Sequence, residues 1–579
     1  MKIAEALKIV QGAACDLPLF RIGLACGFTP LHLQTFLHAH LQHALPNRRV
    51  NVSSGLFGDL AGTLESMADS QNDGVAVALE WADLDPRLGY RCSGGWGLDA
   101  VLDIVTSTRS MLERISTGIR RMALHMQTVV ALPALPLPPL FHTPGWQAAE
   151  AELLLHRDLM SFASELAHEA NIAIVNPQFL AEVPLALRLD IKSDMLTGFP
   201  YAVAYVDHLT SALAKTLIPP APKKGIISDL DDTLWSGVVG EIGAEQIGWD
   251  LASRHQLHGL YQQLLSSLAE AGVLIGIASK NDPQVVRQAF ERSDLRVHRD
   301  QIYPIEAHWN AKSVSVARIL ANWNISADSV IFIDDSSMEL SEVAKAHPGI
   351  ECIQFPKDNY VAGLAMLRRL RDLCGKQQVS PEDKLRLDSI RSGEAFRQQS
   401  ANASTPEDFL RQANGAISLD FHAAKVPRIL ELVNKTNQFN LNGRRYTESD
   451  WQKQISHPDA FVAAVAYEDK FGSLGTIAVI QGRLAAELLY IDTWVLSCRA
   501  FSRRIEYACL EFLFECTNAT EIEFDFASTP KNGPIQDFFV ALIGRSPHFK
   551  LRVTRDEFSS NCPEVYSSIS KVRRAETHA

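Results

Sequence analysis

The stretch Gly225–Trp235, which reads GIISDLDDTLW, decides the fold of this chain. Its first residues, Gly225–Ser228, predict a short buried strand that ends at a pair of carboxylates. Because alternate residues of an extended segment point the same way, Asp229 and Asp231 can both reach one reaction centre. One carboxylate can attack a phosphorus atom while the other moves a proton, and carboxylate oxygens also suit Mg²⁺. The stretch therefore predicts an enzyme of phosphoryl chemistry.

The composition is that of a multidomain globular protein. A length of 579 residues predicts three or four domains at about 150 residues each. The net charge of −12 argues against nonspecific binding to nucleic acid, which requires a basic surface. Nine scattered cysteines without a CxxC pair predict reduced thiols and a cytoplasmic protein. No apolar run approaches the roughly 20 residues of a membrane span, so we expect no membrane partner.

The order of elements predicts an α/β fold with three domains. Strands alternating with helices indicate parallel sheets in residues 1–220 and again in residues 221–375, separated by the proline-rich segment Ile218–Lys224. A charged stretch over residues 376–406 reads as a helical or loose connector. Residues 407–579 show an α+β pattern.

Particular segments carry this prediction. The expected strands are Leu19–Ala25, Gly74–Leu79, Thr128–Leu132, Ile172–Val175, Gly225–Ser228, Val273–Ala278, Val330–Ile333, Ala460–Tyr467, Gly475–Gln481, Ala486–Val495 and Glu521–Phe526. The expected helices include His32–Ala44, Val101–Met126, Trp146–Ala170, Lys312–Asn322 and Arg503–Thr517.

Three strands of the middle domain end in candidate site residues, and ligands in such sheets bind at the carboxyl ends of strands. The first strand leads to Asp229, the second to Ser279, and the third to Asp334 and Asp335. The Ser279 hydroxyl and its neighbouring amides could hold phosphate oxygens, and a lysine at a helix start could offset charge on the nucleophile and the phosphoryl group. The candidate phosphate-binding residues are Thr233, Ser279, Lys280, Asn281 and Lys312.

The order and spacing of these pieces resemble the haloacid dehalogenase (HAD) superfamily of phosphatases. The resemblance implies that Asp229 forms an aspartyl-phosphate and that Asp231 is the general acid and base. It also implies that Mg²⁺ is held by Asp229, by the Asp231 backbone carbonyl, and by Asp334 or Asp335. The short gaps between the motifs leave no room for a large cap, and the glycines of Trp235–Glu241 suit a tight flap. We therefore expect an open site for a bulky or protein-bound substrate.

Longer blocks resemble the FkbH-type branch, HAD subfamily IIIC. They are Asp229–Glu241 (DLDDTLWSGVVGE), Phe332–Val343 (FIDDSSMELSEV), Asn434–Asn440 (NKTNQFN), Ser497–Arg499 (SCR) and Pro530–Asn532 (PKN). The resemblance implies a bifunctional glyceryl transferase and phosphatase of polyketide biosynthesis. Such a protein takes 1,3-bisphosphoglycerate, removes phosphate, and loads glyceryl as a thioester onto the phosphopantetheine arm of an acyl carrier protein.

The last domain resembles acyltransferases of the GNAT type, whose glycine-rich loop cradles the coenzyme A pyrophosphate at a helix start. Ser502 and Arg504 stand where glycines are wanted, so we expect a phosphopantetheine arm in place of acetyl-CoA. Cys498, among arginines at a strand-to-helix turn, is a candidate to carry the glyceryl group; substrate contact and a purely structural role stay open. Asn437 and Arg499 are further candidate binding residues.

The N-terminal domain resembles the SGNH-hydrolase-like region that precedes the HAD domain in this family. The position for a nucleophilic serine reads Ala25–Pro30 (ACGFTP), and Asp207-His208 lacks the spacing of the late Asp-x-x-His motif. We therefore expect a noncatalytic module. Two alternatives for the whole chain stay open: a phosphatase of another phosphorylated metabolite or acyl unit, and a carrier-docking scaffold with degenerate catalysis.

Overall fold

The structure is a computed structural model that describes residues 1–12, 16–93, 97–139, 143–401, 405–421, 427–446, 448–485, 487–547 and 550–571. The chain separates into two compact units, Met1–Ala221 and Pro222–Ala579. The predicted α/β class is confirmed, since the units contain two parallel sheets and one mixed sheet. The bounds proposed for individual domains remain predictions. Within the described ranges, no helix has both the length and the apolar character needed to cross a membrane.

The first unit is built on a parallel sheet with strand order β2-β1-β3-β4-β5. Its strands are β1 Leu19–Ala25, β2 Arg49–Ser54, β3 Gly74–Ala78, β4 Gln127–Ala131 and β5 Ile172–Ile174. Its helices are α1 Ile3–Gln11, α2 Leu31–Ala44, α3 Leu60–Ala68, α4 Trp81–Leu84, α5 Ala100–Ala123, α6 Glu150–Ala167, α7 Pro177–Leu180, α8 Ile191–Thr197 and α9 Val203–Leu217. Apolar clusters cover both faces of the sheet, as parallel sheets require.

The middle part, which opens the second unit, repeats this architecture with strand order β10-β9-β6-β7-β8. Its strands are β6 Gly225–Ser228, β7 Leu274–Ser279, β8 Ile302–Ala307, β9 Val330–Asp334 and β10 Glu351–Gln354. Its helices are α10 Val239–Ile242, α11 Gln256–Glu270, α12 Pro283–Ala289, α13 Lys312–Trp323, α14 Ser337–Ala346 and α15 Tyr360–Cys374. The central position of β6 places Asp229 between the ends of β7 and β9.

Residues 376–401 are more ordered than a loose connector. They form α16 Pro381–Lys384 and α17 Arg386–Ala401. Lys376 Nζ donates to the Ala271 carbonyl at 2.7 Å, and Arg386 Nη1 donates to the Gly272 carbonyl at 2.6 Å. Gly272 has φ +79°, and a Cβ there would lie 2.2 Å from the Asp383 carbonyl oxygen. The connector is therefore fastened to the turn that precedes β7.

The C-terminal part contains a mixed sheet with order β17-β16-β15-β14-β13-β11-β18, and β12 pairs separately with β15. After α18 Pro406–Ala413, its strands are β11 Ala416–Asp420, β12 Phe439–Asn440, β13 Ala460–Asp469, β14 Gly472–Ala485, β15 Leu488–Leu496, β16 Glu521–Phe524, β17 Leu551–Thr554 and β18 Ser568–Lys571. Its helices are α19 Pro427–Lys435, α20 Glu448–Ile455, α21 Ile505–Thr517, α22 Gly533–Ile543 and α23 Arg555–Asn561. This is the predicted α+β pattern with additional edge strands.

Candidate active site

The sheet of the middle part brings the predicted carboxylates together. Asp229 follows β6, and its N–H donates to the Ile333 carbonyl of the neighbouring β9 at 2.9 Å. Asp334 ends β9 and is fully buried, while Asp229 is 6% exposed. Two carboxylates in such an apolar setting need a compensating cation.

Lys312, the first residue of α13, supplies that cation. Its Nζ lies 2.9 Å from Asp229 Oδ2 and 2.5 Å from Asp334 Oδ2. Burial raises the pKa of Asp229 to about 7, against the attraction of Lys312. Burial alone would lower the pKa of Lys312, but the two carboxylates outweigh it and raise that pKa. The lysine therefore stays protonated between its two partners.

Three carboxylates offer a place for a metal ion. One oxygen atom each from Asp229, Asp334 and Asp335 lies within 4.8 Å of the others. Hard oxygen donors in this number fit Mg²⁺, which also accepts water and phosphate oxygens as ligands. The donor set therefore fits the predicted cofactor and hard divalent cations in general.

Asp231 faces a different set of partners. Its Oδ1 accepts hydrogen bonds from Trp235 Nε1 at 2.9 Å and from the Val239 N–H at 3.1 Å. Its Oδ2 accepts from Asn281 Nδ2 at 2.9 Å. Three donors thus fix the Asp231 carboxylate beside the nucleophile. Among the described residues, its side chain does not belong to the three-carboxylate group that could hold a metal ion. These hydrogen bonds set the orientation of the Asp231 side chain.

The segment after Asp231 folds back as the predicted flap. Ser236 pairs with Gly248 in an isolated antiparallel bridge. Gly237 has φ +97°, and a Cβ there would meet Ile242 Cδ1 at 2.5 Å. A glycine is therefore required at this turn. The Val239 hydrogen bond ties the flap directly to the Asp231 carboxylate.

The predicted phosphate-binding residues divide into two groups. Ser279 and Asn281 are buried, and Asn281 Nδ2 joins the Ser279 hydroxyl at 3.2 Å to Asp231. Lys280 instead pairs with Glu339 on α14 at 2.7 Å. Thr233 Oγ1 is buried, and within the described part of the chain it has no hydrogen-bond partner. Ser279 and Asn281 thus line the site, whereas the Lys280 ammonium is directed to α14.

Sequence reasoning missed Lys357, which completes the charge balance at the rim. Its Nζ lies 2.8 Å from Asp232 Oδ2 and 3.1 Å from Asp335 Oδ2. Partial burial would raise the pKa of Asp232, but the Lys357 hydrogen bond lowers it. Lys357 follows β10, a mostly polar edge strand that the hydrophobic pattern did not predict. Lys357 could be assigned to the site only from the structure, which places β10 beside β9.

The C-terminal candidates occupy a loop with unusual backbone geometry. Cys498 opens a 3₁₀ turn, Cys498–Ala500, but its side chain lies outside the described residues, so its assigned role remains a prediction. Ser502 and Arg504 have φ of 66° and 58°, the left-handed region that glycines adopt readily and that costs other residues roughly 1–2 kcal/mol each. The loop thus has a glycine-like backbone with side chains added.

The arginines near Cys498 are paired with acids. Arg503 Nε lies 3.1 Å from Asp469 Oδ2, with both side chains buried, and Arg504 Nη2 lies 2.6 Å from Glu407 Oε1. Arg499 Nη2 donates to the Thr476 carbonyl at 3.4 Å. Two of the expected cations are therefore neutralised. The Asn437 side chain accepts a hydrogen bond from Arg445.

In the first unit, the side chains at the candidate catalytic positions form hydrogen bonds within the fold. Cys26 is buried, its pKa is raised by that burial, and its Sγ donates to the Phe28 carbonyl at 3.4 Å. Asp207 binds the N-terminal ammonium at 2.6 Å, while His208 Nε2 is 2.8 Å from the Phe179 carbonyl. Asp207 and His208 are thus held by different partners. The noncatalytic character of this module remains a prediction.

A buried acid lies at the carboxyl end of β3 in this unit. Glu80 accepts a hydrogen bond from Tyr201 Oη at 2.8 Å and lines a cavity of about 520 Å³. Burial raises its pKa to about 8, although the Tyr201 hydrogen bond opposes the rise. Glu80 is therefore mostly protonated at neutral pH in the folded chain and ionised when unfolded.

Glu80→Gln is expected to remove a pH dependence of stability. Because the folded pKa is above the unfolded value, the folded state holds the proton, and wild-type stability falls as pH rises toward 8. Between pH 6 and 8 the loss is about 2 kcal/mol. Hydrogen exchange of β1 and β3 amides in the whole chain, corrected for intrinsic rates, measures it. Glu65→Gln, which changes an exposed side chain of α3, is the control. An equal dependence of stability on pH in both variants would contradict the assignment.

Comparisons with known proteins locate the fold. No family model and no curated protein matches this sequence. Among solved structures, the N-terminal part of BF1531 from Bacteroides fragilis, which contains a phosphatase domain complexed with Mg, is 19% identical with a TM-score of 0.50. The match covers 65% of this chain and 100% of that one. The matched portion of this chain is longer than the middle part alone. At 19% identity, the match shows the fold only.

Two further structures are more distant. An uncharacterised protein from Corynebacterium glutamicum is 15% identical, with a TM-score of 0.19 and coverage of 27% of this chain and 98% of that one. The salicylyl-acyltransferase SsfX3 of a tetracycline biosynthetic pathway is 13% identical, with a TM-score of 0.20 and coverage of 35% and 54% respectively. Similarity at this level carries no argument about function.

Proposed function

We propose that the chain is a Mg²⁺-dependent HAD-type phosphatase that uses Asp229 as its nucleophile. One observation carries the proposal: Asp229 and Asp334 share Lys312 at 2.9 and 2.5 Å, at the sheet edge where Asp335 completes a three-carboxylate group. Bound Mg²⁺ would offset the charge of the substrate phosphate near Asp229, Asp334 and Asp335. The Asp231 backbone carbonyl is the further ligand that the HAD resemblance implies.

The residues of the site would each have a separate role in the reaction. An Asp229 oxygen forms a bond to phosphorus as the bond to the leaving oxygen breaks, and protonated Asp231 gives its proton to that oxygen. Water next attacks the aspartyl-phosphate, Asp231 takes the water proton, and phosphate leaves. Asn281, Trp235 and the Val239 N–H hold Asp231 in position. Lys312 stabilises negative charge on Asp229 and on the phosphoryl group.

We further propose a glyceryl transferase function, supported by the FkbH-type blocks. The substrate would be 1,3-bisphosphoglycerate, a phosphorylated three-carbon unit with an acyl phosphate and a phosphoester. A carrier thiol can attack the acyl carbon and displace its phosphate. Hydrolysis of the stable phosphoester requires the phosphatase site. The partner would be an acyl carrier protein with a phosphopantetheine arm, and Cys498 would hold the glyceryl group between donor and carrier.

Incubation with 1,3-bisphosphoglycerate, Mg²⁺ and a phosphopantetheinylated carrier is expected to add a glyceryl mass to the carrier, measured by intact-protein mass spectrometry. Cys498→Ala should reduce loading by about 10²-fold or more, because it removes the proposed nucleophile. Cys516→Ala, at an exposed cysteine of the same domain, is the matched control and should load normally. If no glyceryl or phosphoglyceryl mass appears, the substrate assignment is wrong.

A second candidate is a phosphatase of another phosphorylated metabolite or acyl unit, with the C-terminal part as an accessory fold. The paired Arg503 and Arg504 favour it, because they leave less positive charge around Cys498 than an activated thiolate requires. This candidate predicts phosphate release without a carrier and indifference to Cys498→Ala. A carrier-docking scaffold predicts instead that carrier binding survives Asp229→Asn while no turnover occurs.

A further inference from the structure

The C-terminal part contains a large polar cavity that the phosphatase chemistry does not use. Its volume is about 800 Å³, and its lining comes from residues 444–457, from β14 to β16, and from Lys550. Ligand cavities usually measure about 300–1,000 Å³. The cavity is thus large enough for an organic molecule, and its lining is rich in charge.

Some of that charge is already compensated. Arg444 Nη1 lies 2.6 Å from Asp525 Oδ2, and Arg483 Nε lies 3.2 Å from Asp492 Oδ2. Glu523 is paired with Arg552, outside the lining, at 2.6 Å. These three carboxylates are therefore matched by arginines.

Three further cations of the lining have no acidic partner within the described part of the chain. Arg445 donates to the carbonyls of Val433 at 3.1 Å, Arg444 at 3.2 Å and Thr436 at 2.8 Å and to the Asn437 side chain, all neutral acceptors that leave its charge uncompensated. Among the residues that the structure describes, Lys453 and Lys550 make no ion pair, and Arg445 has none either. Against these three cations the lining offers one more carboxylate, Asp450. The cavity therefore has a positive excess in a chain whose net charge is −12.

The Asn434–Asn440 block builds this charged wall. Asn434 Nδ2 donates to the Tyr446 carbonyl at 2.9 Å, and the Tyr446 N–H donates to Asn434 Oδ1 at 2.9 Å. Asn437 orients the Arg445 guanidinium. Tyr446 and Tyr490 add aromatic surface to the same lining. A guanidinium that is fixed by several hydrogen bonds loses little freedom when an anion arrives.

We propose that this cavity is a binding site for a small organic phosphate, held by Arg445, Lys453 and Lys550. A phosphate group carries enough charge to engage several cations at once, so the two lysines can bind it directly while Arg445 adds its uncompensated charge. The cavity has room for more than the phosphate group, and the tyrosines could contact the remainder of the ligand. The site is separate from the Asp229 centre and does not depend on the proposed phosphatase function.

Calorimetric titration with inorganic pyrophosphate tests the site in the full chain. The Asp229→Asn background without Mg²⁺ keeps the phosphatase centre inactive. We expect saturable binding that weakens about tenfold in Arg445→Ala and in Lys453→Ala. Lys453 makes no described contact that folding would require, so that variant separates binding from folding. Lys345→Ala, which removes an exposed lysine on α14, is the matched control and should bind normally.

Two outcomes would overturn the proposal. One is no saturable binding, or equal affinity in all variants. The other is cosedimentation with phosphatidylglycerol vesicles that requires Lys453 and Lys550 while pyrophosphate does not bind, because the cations would then serve a membrane surface. Displacement of pyrophosphate by adenosine 5′-monophosphate, without vesicle binding, would support a soluble organic phosphate.

Discussion

Asp229→Asn is expected to reduce phosphate release by about 10³-fold or more, since loss of a nucleophile removes the covalent route. The amide has nearly the shape of the carboxylate, and it removes one of the two charges that Lys312 compensates. The folded structure should therefore persist. Phosphate release from an acyl phosphate or phosphoester in saturating Mg²⁺ measures the effect, and circular dichroism checks the fold.

Asp232→Asn is the matched control for this variant. Asp232 is three residues from Asp229, but its side chain accepts from the Gly237 N–H at 2.9 Å and pairs with Lys357. We expect its activity to stay within about tenfold of wild type, because only one exposed ion pair is weakened. An equal loss in both variants would mean that the loop tolerates no change, and retained activity in Asp229→Asn would place the nucleophile elsewhere.

Lys312→Met is expected to reduce both stability and activity. The variant leaves Asp229 and Asp334 buried together without a cation, and loss of one member of a buried pair costs about 3–5 kcal/mol. Phosphate release should fall by about 10²-fold or more, because charge stabilisation at the phosphoryl group is lost. Because Mg²⁺ can replace part of the missing positive charge, it should stabilise this variant more than wild type. Urea unfolding with and without Mg²⁺ measures the difference.

Lys280→Met is the control for stability in this experiment. Lys280 lies at the same end of the sheet, but it is 37% exposed and, among the described residues, its ion-pair partner is Glu339. Its loss should cost less than about 1 kcal/mol and should leave the response to Mg²⁺ unchanged. If Lys312→Met is no less stable than Lys280→Met, the buried carboxylates do not depend on Lys312.

The central strands and their carboxylates were predictable because they are short, apolar and followed by polar residues. β6 has the predicted bounds, β7 is shifted by one residue at both ends, and β9 is one residue longer at its carboxyl end. The edge strands β2, β8 and β10 were missed, since exposed alternate positions in β2 and half-buried or polar residues in β8 and β10 weaken their apolar signal. β12 has only two residues, which is too short for any periodic pattern. Lys357 was missed with β10.

Charge pairing was the least predictable property of the site. The sequence shows arginines around Cys498, but not that Asp469, from the end of β13, neutralises Arg503. It also shows Lys280 beside Ser279, but not that the Lys280 ammonium pairs with Glu339 of α14. Ion pairs between distant segments depend on tertiary structure, so a local run of charge is a poor guide to local potential.

The contact between the connector and Gly272 has a consequence for how this chain can change by recombination. A crossover placed at the predicted domain end, between residues 375 and 376, would separate Lys376, Asp383 and Arg386 from the turn that they support. A connector from another protein would have to pack against Gly272 as Asp383 does. Even a methyl group at Gly272 would collide with the Asp383 backbone. A chimaera that keeps the middle part intact should therefore also keep the beginning of its connector. Exchange of the C-terminal part is expected to be tolerated only at positions beyond α16.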